Sequence, residues 1–164
     1  MNPIHSADWA NFFVAEVGAS AALTGLVVVA ISINLSRILS ILHLPGRAGE
    51  ALVILAGALV VTSVALVPNQ PAVIFGIESL VIGLVTFLVP LAMQLRSFTA
   101  SGIPPARQYF RVALSAGASL PIVVAGLLLM LGSSAGLYWI AAGVILSLMV
   151  GIFSAWVLLI EIMR

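Results

Sequence analysis

The chain has 164 residues, of which 63% are hydrophobic and only 7% charged, with a formal net charge of +1 and no cysteine. A soluble domain of this size lacks the polar residues to cover such a composition, so the solvent for most of the chain is lipid. The composition also excludes disulfides and thiolate metal sites, and no polar stretch is long enough to fold apart from a single transmembrane domain over residues 1–164.

The first ten residues include His5, Asp8 and Trp9, with no positive run before the apolar sequence. A cleaved signal peptide is therefore not expected, and Trp9 suits an interfacial anchor. The first span is expected over residues 11–35. Gly18, Ala22, Gly25 and Val29 recur there at helical spacing and make a slim stripe suited to close helix contact. Glu16 lies on the opposite side, and Asn34 returns to nearly the same azimuth. Residues 36–47 then read as an interfacial amphipathic segment. Arg37, Ser40 and His43 share one of its faces, and Pro45-Gly46 is expected to end it.

The second span, residues 48–67, opens on Glu50, which with Arg47 reads as a surface ion pair of little energetic weight. Gly49, Val53, Gly57, Val61 and Ala65 form its slim stripe. The uncharged Pro68-Asn69-Gln70-Pro71 turn leads into a third span, residues 72–95. Its stripe is Gly76, Ser79, Gly83 and Thr86, and it carries Glu78 roughly 9 Å inside its first residue at ~1.5 Å of rise per residue. A carboxyl at that depth is costly and marks a candidate site. Gln94 reads as interfacial.

Residues 96–107 contain Pro104-Pro105, which forbids a continuous helix. The fourth span, residues 108–131, has Pro121 in its middle. The kink should free backbone carbonyls that Ser115, Ser119 or a neighbouring helix could cover. A second uncharged turn, residues 132–136, precedes a fifth span over residues 137–162, where Gly143, Ser147, Gly151 and Ala155 keep strict four-residue spacing. Proline followed by arginine introduces both hairpins, a faint sign of a parallel tandem repeat.

Charge sets the orientation. Arg37, Arg47, Arg96, Arg107 and Arg111 lie in or beside two connections, and Arg164 follows the last span. With five spans, all of these fall on one side, and the positive-inside rule then puts the N-terminus out and the C-terminus in. The expected architecture is an all-α polytopic membrane protein, a bundle of five transmembrane helices, in a membrane of the bacterial inner (plasma) type.

Glu16 and Glu78 enter from the same side to a similar depth, so they are the expected ion- or proton-binding or pore-lining residues, with Ser20, Thr24 and Asn34 as lesser polar lining. Arg37, His43, Arg47, Arg96, Arg107 and Arg111 are expected to meet lipid headgroups or a cytoplasmic partner. The slim faces suit a homo-oligomer in contact with membrane lipid. Enzyme chemistry is poorly served: neither His lies in a span, and there is no G-x-S-x-G elbow or phosphate loop. No catalytic residue, metal, cofactor or nucleic acid is expected. The leading expectation is a small oligomeric membrane channel or transport protein for ions or protons. The alternative is a non-catalytic accessory or assembly subunit of a larger membrane protein complex.

Overall fold

The computed structural model describes residues 7–41, 44–100 and 105–163. They form six helices: α1 (Ala7–Ile33), the short α2 (Leu35–Ser40), α3 (Leu44–Ala65), α4 (Ala72–Ala100), α5 (Pro105–Met130) and α6 (Ala135–Met163). Five are long and apolar enough to cross a membrane. The shortest of the five, α3 with 22 residues, covers about 33 Å at ~1.5 Å per residue, enough for a ~30 Å hydrocarbon core. The chain thus has the helices of an integral membrane protein.

Helix ends follow local chemistry. Gly132 takes φ +76° after α5. The Ser133 amide returns to the Leu128 carbonyl at 2.9 Å and the Gly132 amide to that of Leu129 at 3.0 Å. This is a Schellman stop, which needs a residue free to turn left-handed. Asn69, at φ 56°, serves the other hairpin turn in the same way. Pro45 differs from expectation. It begins α3 instead of ending the preceding segment, because a proline in the first helical turn gives up an amide that has no partner there anyway. The break falls earlier, at Asn34, whose side chain donates back to the Ala30 carbonyl at 2.9 Å. Beyond it, Ile38 of α2 is buried against Leu44, Ala48 and Leu158.

Helices α3, α4, α5 and α6 pack in a closed cycle, each on the next and α6 back on α3, while α1 lies outside against α3 and touches α6 lightly. Small residues set the close approaches. A Cβ on Gly76 would come within 2.9 Å of the Gly126 carbonyl, and one on Gly126 within 2.6 Å of the Leu80 amide, so α4 and α5 meet backbone to backbone. Gly57 faces Thr86, Gly143 faces Ile122 and Gly151 faces Leu55. The stripes of α3, α4 and α6 are thereby used inside the bundle.

The stripe of α1 is not. Gly18, Ala22, Gly25 and Val29 are exposed, and a Cβ on either glycine would meet nothing within 4 Å. Helix α1 instead turns inward Phe13, Ser20 and Val27, the side that carries Glu16. Phe13 decides this orientation. It is fully buried against Phe75 at a ring-centroid distance of 6.4 Å and stacks on Trp9, which also meets Tyr138 at 5.1 Å. Trp9 is thus half-buried in an aromatic cluster at this end.

Ile122, Ala125, Leu129, Leu137, Ile140 and Val144 join Phe13, Phe75, Ala58 and Val61 in one buried apolar cluster that fills the centre of the bundle towards that end. Around Pro121, the Ser119 hydroxyl donates to the Ser115 and Thr86 carbonyls, and Ser147 of α6 donates to the Ala118 carbonyl at 3.4 Å. The carbonyl that Pro121 leaves without an amide is that of Gly117, so these donors meet neighbouring carbonyls instead.

Candidate functional site

The alternation of the long helices places Arg37, Arg47, Arg96 and Arg111 at one end of the bundle. Three polar side chains converge just inside that end. Glu50 lies six residues into α3, Arg111 six residues into α5, and Gln94 six residues before the end of α4. At ~1.5 Å per residue each is about 9 Å from its helix terminus. Equal depth on neighbouring helices brings them into one layer.

In that layer Arg111 Nη2 donates to Glu50 Oε1 at 2.6 Å. Gln94 Nε2 donates to Glu50 Oε2 at 3.2 Å and to the Ser115 hydroxyl at 3.2 Å, while Ser115 donates to the Val112 carbonyl at 3.1 Å. Both carboxylate oxygens are therefore engaged, one by a cation and one by an amide. Glu50 is only 7% exposed and Gln94 3%. A short charge-assisted bond of this kind is strong, and it must offset the several kcal/mol that desolvating each ion costs.

The expected surface pair of Glu50 with Arg47 is corrected here. Glu50 is a buried residue held by Arg111 across helices, because α5 carries its guanidinium to the same depth on the inner side. Gln94, expected near the end of its span, is buried there against Glu50 and Ser115.

Beside the cluster is a cavity of about 130 Å³. Arg47, Glu50, Gln94, Arg111, Ser115 and Ser154 form its polar lining, and Ile54, Phe110, Leu114, Val150, Phe153 and Val157 its apolar wall. Every helix of the four-membered cycle contributes to it. Within the cluster, Gln94 Oε1 is buried without a hydrogen-bond partner. A buried amide oxygen left open costs free energy until a donor reaches it.

The sequence-predicted acidic residues lie towards the other end. Gln70, from the turn before α4, donates its amide to Glu78 Oε2, so this carboxylate is held within its own hairpin. Glu16 Oε2, Ser20 Oγ, Ser79 Oγ and Gln70 Oε1 are buried with no hydrogen-bond partner. Among the described residues no hydrogen bond joins Glu16 to Glu78, and α1 packs on α3 and α6. Thr24 donates to the Ser20 carbonyl at 2.7 Å and so turns its hydroxyl back on its own helix.

Of the arginine group, Arg37 and Arg96 are exposed and Arg47 half-buried. His43 and the side chain of Arg107 lie outside the described residues. The sequence reading missed Glu50 and Gln94 as site members, although their shared depth with Arg111 was a usable signal. Comparison with protein-family models, with curated proteins and with solved structures returns no match.

Proposed function

We propose that the protein is a small, non-enzymatic membrane transport protein for ions or protons, and that Glu50 is its working carboxylate with Arg111 as the internal cation it holds between turnovers. The supporting observation is the buried Glu50–Arg111 pair at the wall of a cavity. A proton or cation arriving at Glu50 competes with Arg111, so binding exchanges an internal ion pair for a ligand contact. Such exchange is a physical route to coupling ligand arrival with helix movement, because the pair ties α3 to α5.

Glu16 and Glu78 act in this reading as polar stations towards the opposite side, separated from Glu50 by the apolar filling of the bundle. A filled centre requires either helix movement or an oligomer for passage. The N-terminus faces out and the arginine-bearing end faces the cytoplasm, as the positive-inside rule directs. A second reading, an accessory subunit of a larger membrane complex, draws on the outward stripe of α1. Its glycines meet nothing within the chain, as a helix face awaiting another protein would have it.

The test is flux through purified protein in sealed vesicles under imposed proton, sodium and potassium gradients, with empty vesicles beside it. Gradient dissipation that requires protein supports transport. No dissipation from folded protein under any of the gradients, together with co-purification of a fixed partner, replaces it with the accessory reading.

A further inference from the structure

We propose that α4 is hinged at Pro90, with Ser119 of α5 as the pin, and that residues 91–100 form an arm whose tilt opens and closes the layer holding Glu50. This goes beyond the transport reading and does not depend on it.

A proline inside a helix withholds an amide from the carbonyl four residues earlier. In α4 that proline is Pro90 and the carbonyl is that of Thr86. Pro90 is fully buried. At about 15 Å from the end of α4 by residue count, it lies near the middle of a ~30 Å hydrocarbon core, where no bulk water serves the carbonyl. The Thr86 hydroxyl is turned the other way and donates to the Ile82 and Gly83 carbonyls. The replacement donor comes from α5. Ser119, itself buried, donates to the Thr86 carbonyl at 3.0 Å. The same hydroxyl reaches the Ser115 carbonyl of its own helix at 2.9 Å. It has one proton to give, and it keeps an acceptor when the bond to α4 lengthens.

The two halves of α4 are held differently. Before Pro90, a Cβ on Gly83 would come within 2.8 Å of the Val123 amide nitrogen, and one on Gly76 within 2.9 Å of the Gly126 carbonyl. This half lies backbone to backbone on α5, and such close packing leaves little room to shift. After Pro90, Met93 packs α4 on α3 through a flexible thioether, its Cε 3.3 Å from where a Gly49 Cβ would stand. Gln94 holds Glu50 and Ser115 at 3.2 Å each from the end of a long side chain, and the cavity of about 130 Å³ is on this side. A firm half and a yielding half meet at the residue that interrupts the hydrogen-bond ladder, which is where a helix bends. Gln94 is one turn beyond Pro90, so an outward tilt of the arm draws its amide off Glu50 and widens the cavity beside Arg111.

The chain has no cysteine, so pairs of spin labels can be placed on the full chain in nanodiscs. One pair, Leu95→Cys with Ile160→Cys, joins the arm to α6. A reference pair, Ile77→Cys with Ile145→Cys, joins the firm half of α4 to the same helix. All four side chains are exposed. A tilt of about 20° moves Leu95, ~7.5 Å beyond the hinge, by about 2.5 Å. Pulsed electron paramagnetic resonance should therefore give a broader distance distribution for the arm pair than for the reference pair.

Pro90→Ala restores the amide and should narrow the arm pair to the width of the reference pair, which itself stays as it was. Ser119→Ala should broaden the arm pair further when Pro90 is present. It should have no effect in the Pro90→Ala background, where the Thr86 carbonyl has its ladder amide again. Circular dichroism of the variants establishes that they are folded. An arm pair as narrow as the reference pair in the parent protein, or one that Pro90→Ala leaves unchanged, would overturn the hinge. Ser119→Ala acting equally in both backgrounds would overturn the pin.

Discussion

The two ends of the bundle treat their carboxylates in opposite ways. At the arginine-bearing end, Glu50 is nearly inaccessible and bound by groups from two other helices, beside a cavity. At the other end, Glu78 takes an amide from its own hairpin, and one oxygen of Glu16 is buried with none. Depth in a span therefore does not by itself say how a carboxylate is held. What distinguishes Glu50 is a cation delivered by a helix 61 residues away in sequence, which makes it a tertiary feature where Glu78 is a local one.

The largest expected effect follows from breaking that tertiary pair. Arg111→Met leaves Glu50 buried without its counter-ion and should cost about 3–5 kcal/mol of stability. The double replacement Glu50→Met with Arg111→Met should recover most of it, since a packed apolar pair avoids both desolvation penalties. Thermal unfolding in one detergent reads both, and a double variant no better than the single would contradict the pairing.

The small residues repeat the contrast at lower magnitude. Gly126→Ala places a methyl against the Leu80 backbone and should destabilise by about 1–3 kcal/mol. Gly18→Ala on the outward stripe of α1 should stay within about 0.5 kcal/mol. A strong loss from Gly18→Ala in the isolated protein would mean that the stripe is already covered.

At the opposite end, Gln70→Leu removes the amide from a carboxylate that is only partly buried. We expect about 1 kcal/mol, visible as a small drop in the same unfolding midpoint. The smallest effect belongs to Glu16→Gln, which replaces an unpartnered buried oxygen with an equally unpartnered amide group. Its unfolding midpoint should match that of the parent protein.

Much of the fold was legible because lipid imposes simple rules. Span count, the two uncharged turns and the grouping of the arginines follow from apolar run length and from where Pro, Asn and Gly interrupt it. Helix ends were less legible. Pro45 can close one helix or open the next, and residue types alone do not choose between the two.

The face of α1 was misleading because small-residue spacing identifies a face that could pack without saying that it does. Phe13, wedged against Phe75, settled the orientation instead. For the site, Arg111 was recognised as a charge near the membrane but not as the partner of Glu50. Pairing between distant helices depends on which of them are neighbours, and one-dimensional spacing does not carry that. Counting residues from each helix end, however, does place Glu50, Gln94 and Arg111 in one layer.

We propose that the arginine-bearing end, with Glu50 at its heart, is where the protein works. The most direct measurement is cation and proton flux in one vesicle preparation, comparing the parent protein with Glu50→Gln, Glu16→Gln and Glu78→Gln at matched protein content. The account predicts that Glu50→Gln changes the rate or its dependence on pH most, with the protein still folded. Parent-like flux from Glu50→Gln, alongside its loss from Glu16→Gln or Glu78→Gln, would contradict the account and move the working site to the opposite end.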